Sequence, residues 1–147
     1  MVDRNANDIL GLVKDLQAMG PEVSRNLNKE FKAAAEAVAA AARSNASWST
    51  RIPAAIKVRA ARSRRFPGAE IYVRHAEAPH ARPYEHGSGG RRDSFRHPVY
   101  KRPGRPNRWV EQATRPFVRP AFKAKGFEFT HGANRAVNDA ARQAGFL

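Results

Sequence analysis

The spacing of apolar residues changes from three-four to two at Ile52, and that change sets the order of the secondary structure around it. Val23, Leu27, Phe31, Ala34, Val38, Ala41 and Ala42 recur every three or four residues, which places them on one side of a helix reaching about Arg43. From Ile52 the period is two. Ile52, Ala54, Ile56, Val58 and Ala60 alternate with Pro53, Ala55, Lys57, Arg59 and Ala61, a pattern that predicts a strand with one apolar and one partly basic face. Pro53 belongs at the start of such a strand or on a sheet edge. A turn over 62–68, followed by Ile71 and Val73 as inward positions, completes a β-hairpin.

The remaining punctuation fills in the order. Asn7 or Asp8 caps a short first helix carrying Ile9, Leu10, Leu12, Val13, Leu16 and Met19. Gly20-Pro21-Glu22 stops it and starts the next, because proline suits a first helical position and glutamate suits the N-terminal dipole. Ala81 to Glu85 reads as a third short strand, ended by the glycine-rich run from His86 to Gly90. Residues 87–108 read as a long basic loop with Phe95, Pro98, Val99 and Tyr100 in its middle, and Trp109-Val110 as a short fourth strand. Pro120 starts a C-terminal helix with Phe122, Phe129, Ala133, Val137, Ala140 and Ala144 on one face, weakened at Gly126 and Gly132. The expectation is a single α+β domain over 1–147. Its helical part covers 1–46, its basic sheet and loop 51–115 and its C-terminal helix 116–147, with the helices on one face of a small antiparallel sheet.

The charge is segregated along the chain. The formal net charge is +14, and all of the excess lies between Arg51 and Lys125, where nineteen Lys or Arg face five Asp or Glu. Solubility alone needs no such concentration, so a polyanion or an acidic protein surface is the expected partner. The cations that offer themselves are Arg62, Arg64, Arg65, Arg91, Arg92, Lys101, Arg102 and Arg105.

Several chemistries are argued against by the residues. There is no cysteine, which removes disulfides, thiolate metal sites and cysteine nucleophiles. The five histidines lack the helical spacing of a zinc-protease site, so no metal and no cofactor is expected. Gly87-Ser88-Gly89-Gly90 followed by Arg91 and Arg92 lacks the lysine-serine pair of a phosphate-binding loop. Glu85 with Glu77 or Asp93 is imaginable as an acid–base pair, but with so many arginines nearby a structural salt bridge is the expectation, and no catalysis is predicted. His86 and His97 read as polar rings hydrogen-bonded across loops. Residues 1–20 show no basic segment followed by an apolar core, and no apolar run is long enough to cross a bilayer, so a soluble protein without membrane contact is expected.

What the chain does offer is rings and cations interleaved without period from Ala81 to Ala121. Tyr84, Arg96, His97, Tyr100, Trp109, Arg115 and Phe117 form a candidate recognition set, with Trp109 and Phe117 as anchors and Arg96 and Arg115 as bidentate donors. For Phe117, Val118 and Phe122 the residues favour ordinary core positions. Three pieces of this stretch, Tyr84-Glu85-His86-Gly87-Ser88, Phe95-Arg96-His97-Pro98-Val99-Tyr100 and Arg115-Pro116-Phe117, occur in an order that resembles the small neck and tail-joining proteins of long-tailed bacteriophages. The resemblance spans roughly residues 20 to 145.

That resemblance implies a virion protein, assembled in the host cytoplasm, that acts without catalysis or cofactor. It implies a homo-oligomeric ring between a portal, adaptor or stopper assembly and the tail tube or tail terminator, leaving a channel for genomic DNA. Tyr84, Glu85, His86, Gly87, Arg96, His97, Pro98, Tyr100, Trp109, Arg115, Pro116 and Phe117 would then lie at subunit or partner interfaces. A tail terminator or minor tail protein is the nearest alternative. A free-standing nucleic-acid-binding protein is the alternative of another class, supported by arginines interleaved with Tyr72, Tyr84, Phe95 and Tyr100.

Overall fold

The structure is a computed structural model that describes residues 21–61, 68–102 and 105–143. The expected first helix and the turn cations Arg62, Arg64 and Arg65 lie outside the described residues. Helix α1 (Pro21–Asn45) is the element on which the first hairpin and the two C-terminal helices pack. Its three-four face is buried as the spacing predicts, with Leu27, Phe31, Ala34, Ala35, Val38, Ala39 and Ala42 all inside. Complete burial of Leu27 and near-complete burial of Phe31 contributes roughly 1.5–3 kcal/mol each.

The alanines let a second helix approach closely. A Cβ added at Gly132 of the last helix, α5 (Phe127–Gln143), would lie 3.3 Å from Glu30 Cβ of α1. Gly132 is therefore a crossing point of two helices, and its missing side chain serves packing. Ala133 and Ala136 meet Leu27 and Phe31 there, and Arg135 closes the rim by donating to Glu30 at 2.8 Å.

The fold is α+β, but the single sheet expected from sequence is two separate two-stranded antiparallel sheets. The first begins later than the period-two pattern suggested. Ile52–Ala55 form one turn of helix, α2, with Pro53 in its first turn, and the strand β1 is Ile56–Ala60. Alternation alone does not separate one helical turn from the start of a strand, and Ser49 Oγ accepts the Ile52 N–H to favour the turn. β2 (Ala69–Val73) pairs with β1 through Ile56↔Val73, Val58↔Ile71 and Ala60↔Ala69. Val58, Ile71 and Val73 face the core, while Arg59 and Tyr72 make a cation–π pair at 4.7 Å on the other face.

Ala81–His86, expected as a strand, is a short helix, α3. Pro83 sits in its first turn, where a missing N–H leaves nothing unpaired. Gly87 ends it at φ 72, donating its N–H to Pro83 O at 2.8 Å. The segment read as a long loop is largely a second hairpin, β3 (Ser94–Arg102) and β4 (Arg105–Ala113). Trp109-Val110 belongs to this longer strand. Pro98 stands opposite Trp109, and the register shifts on either side of Tyr100, irregularities that hide the period of two from a reading of residue type.

The C-terminal helix is divided. α4 (Val118–Lys125) ends at Gly126 before α5 begins, and it starts ahead of Pro120. Phe117, Ala121 and Phe129 pack against Val38, Ala42 and Ile56. Phe122, expected in the core, is instead 54% exposed.

Candidate functional site

The recognition set divides into a buried clamp, an aromatic row and an outward hairpin face. The clamp is made by Glu85. Its side chain is 6% exposed, and its carboxylate accepts the N–H groups of Phe117 at 2.7 Å, Val118 at 2.9 Å and Arg119 at 2.9 Å. Those are donors that the first turn of α4 cannot use internally, and a carboxylate also favours the positive end of the helix dipole. The expected salt bridge is thus replaced by a helix cap supplied from another element. Glu77 does pair with a cation, Arg74, at 2.7 Å.

Phe117 is held from its other side as well. Its carbonyl accepts from Asn45 Nδ2 at 3.1 Å, its ring is 1% exposed, and Arg43 donates to Ile56 O at 3.0 Å nearby. Phe117 is therefore core, as its residue type indicated, while Pro116 is exposed beside it.

The row of rings runs over α3 onto the second hairpin. Trp48 lies 4.6 Å from Tyr84, Tyr84 meets Phe95 edge-on at 4.9 Å, and Phe95 is 6.2 Å from His97. The Arg115 guanidinium covers the open side of Trp48 at 5.5 Å, and Gln112 donates to the Tyr84 hydroxyl at 2.9 Å. Within this chain the Arg115 side chain thus covers a ring, where bidentate bonds to a carboxylate or to backbone, in this subunit or the next, were expected, and its main-chain N–H donates to Tyr84 O. Among the described residues the His97 ring nitrogen approaches only the neighbouring Pro98 carbonyl, at 3.4 Å, and His86 is exposed on α3, so neither forms the expected hydrogen bond across loops. Trp48, Asn45 and Gln112 were absent from the sequence-derived set. Their partners lie far along the chain, and residue type alone carries no signal for them.

Pairing in register puts Phe95, His97 and Val99 with Gln112, Val110 and Arg108 on the inner face, toward Tyr84. The outer face carries Arg96, Pro98, Trp109 and Glu111. Trp109 and Tyr100 are each 54% exposed. Ser88, Gly89, Arg91, Arg96 and Trp109 surround a hollow of about 490 Å³. Glu111 accepts from Arg91 at 2.7 Å and from the Ser94 hydroxyl at 2.8 Å, and together these hold its carboxyl below the usual carboxylate range. Arg92 and Lys101 are exposed, and Arg102 and Arg105 are paired residues where the two strands meet. No described helix is long and apolar enough to cross a membrane, and no three described His, Asp or Glu come together as a metal site. Compared with known protein families, curated proteins and solved structures, the chain matches none.

Proposed function

We infer that the protein is a non-enzymatic assembly subunit. The specific form favoured is a neck or head-to-tail connector of a tailed phage virion, forming a homo-oligomeric ring between a portal or adaptor assembly and the tail tube. The three resembling sequence pieces support that reading, and one observation carries it: the β3–β4 hairpin is covered on one face only. Two nine-residue strands alone are marginal in water, and the open face holds a half-exposed tryptophan between arginines, the composition of an interface centre. A ring places this face against a different face of the next subunit and closes by rotation. Such a subunit needs no cofactor, and its cations serve acidic neighbours or DNA in the channel. Tail terminator and minor tail protein are variants of the same reading.

Light scattering of the purified protein, at low and high salt and with and without duplex DNA, tests it. A discrete closed oligomer supports the connector. A second reading rests on the same hollow, since a tryptophan flanked by arginines also suits stacking on a nucleic-acid base. A monomer that binds DNA in a strongly salt-dependent way would favour that reading instead.

A further inference from the structure

Hydrogen-bond alternation decides which way the peptide groups of β2 point. Arg74 N donates to Ala55 O at 3.0 Å, and Ala61 N donates to Gly68 O at 2.9 Å, so these two opposed pairs are hydrogen-bonded ones. Such pairs alternate with non-bonded ones along an antiparallel ladder. Ile56↔Val73, Val58↔Ile71 and Ala60↔Ala69 are then the non-bonded pairs. The N–H and C=O groups of Ile71 and Val73 consequently point away from β1, to an edge with no described strand beside it.

A groove of about 530 Å³ lies along that edge. Ile71 and Val73 form one wall, and Phe117, Val118 and Phe122 form the other. Three exposed cations, Arg82, Arg119 and Lys123, stand on its rim. The one carboxylate in the lining, Glu85, is taken up by the N-terminus of α4 and leaves the rim charge uncompensated.

We propose that β2 and this groove take up an extended segment of a partner protein, with apolar residues at alternate positions and carboxylates at its ends. Backbone groups of the segment pair with Ile71 and Val73, adding a third strand to the first sheet. Alternate side chains enter between β2 and α4, in the manner of strand addition at a sheet edge. The terminal carboxylates meet Arg82, Arg119 and Lys123. Charge argues against a second copy, since the other hairpin of this chain brings arginines to a rim that is already basic. The inference rests on the reading of the protein as one that joins others, and names the kind of neighbour it joins.

The probe is a labelled nine-residue peptide with valine at alternate positions, threonine between, and two carboxylates at each end. Its controls are a lysine-ended peptide and one with proline at the central position. Binding is followed by fluorescence anisotropy and by backbone amide NMR. The acidic peptide is expected to bind at least about ten-fold more tightly than either control, with shifts and exchange protection at the Ile71 and Val73 amides. Arg82→Glu with Lys123→Glu, both on exposed side chains, is expected to abolish the preference while the melting temperature stays unchanged.

Equal binding of the acidic and lysine-ended peptides, or shifts confined to the β3–β4 hairpin, would overturn the proposal. So would amides of Ile71 and Val73 that are already protected in the protein alone, or self-association lost on the same double substitution. A protein that forms a ring but ignores the peptide loses this site and keeps its assembly role. One that binds the peptide as a monomer keeps the site and loses the ring.

Discussion

Glu85 and Phe117, 32 residues apart in sequence, are joined by a 2.7 Å hydrogen bond from the Phe117 N–H to the Glu85 carboxylate. The same carboxylate serves the next two N–H groups, so one side chain fixes where α4 begins and how it meets α3. Removing it leaves one buried and two part-buried donors without this acceptor, and each bond to a charged acceptor is worth about 1.5–3 kcal/mol. Glu85→Ala is expected to lower stability by about 3 kcal/mol in urea unfolding, and Glu85→Gln by less, since the amide retains one accepting oxygen. A Glu85→Ala protein as stable as the parent would show that the cap contributes nothing.

Gly87 and Gly89 both have positive φ, yet they differ in surroundings. A Cβ at Gly87 would lie 2.1 Å from Arg91 O, whereas at Gly89 nothing lies within 4 Å. Gly89→Ala is expected to cost only the left-handed backbone penalty, about 1–2 kcal/mol. Gly87→Ala must also displace main chain, and is expected to cost clearly more. Thermal unfolding of the two variants side by side gives the comparison.

Glu111 gives the second hairpin a defined dependence on pH. The Ser94 hydroxyl first, and then Arg91, hold its folded value below the unfolded one. The associated stabilisation is present above the unfolded value and is lost as pH falls through the lowered folded value. Carbon NMR titration of Glu111 should give a midpoint under the usual carboxylate range, raised by Ser94→Ala and by Arg91→Ala. A midpoint unmoved by both would remove the hairpin's acid sensitivity.

Trp109 separates stability from assembly. Its half-exposed ring lies on the outer hairpin face, so Trp109→Ala should change the unfolding free energy by no more than about 0.5 kcal/mol. If that face lies between subunits, the same substitution reduces the mass seen by light scattering. Loss of fold with loss of mass would instead make Trp109 part of the core.

Regular burial was legible in the sequence, and long-range polar contacts were not. The α1 face and the β1–β2 hairpin from Ile56 onward follow from spacing, because a helix or strand that packs on one side must repeat its apolar residues with its own period, whereas the helical turn at Ile52–Ala55 reads as strand in the sequence. Ala81–His86 gave no such signal. Six residues with a proline fit a strand or a helical turn equally, and Gly87 together with Glu85 decides the matter through contacts beyond the local sequence. The second hairpin escaped because Pro98 and the shifts around Tyr100 interrupt its alternation. Within the candidate site, Phe117 as core and Glu77 as an ion-pair member were readable, whereas the Trp48–Tyr84–Phe95 row joins three separate stretches of chain.

The pinning of Phe117 between Asn45 and Glu85 also bears on the order of events during synthesis. The apolar face of α1 is made early; Ile52 to Ala81 supply part of its cover, and the rest, from Phe117 to Ala136, follows only later in the chain. A nascent chain therefore carries a partly uncovered helix face until Phe117 to Ala136 have been made, and those long-range contacts close only then. Completion of the native core in this sense waits for residue 117, and a chain interrupted before it lacks the piece that locks the earlier ones together.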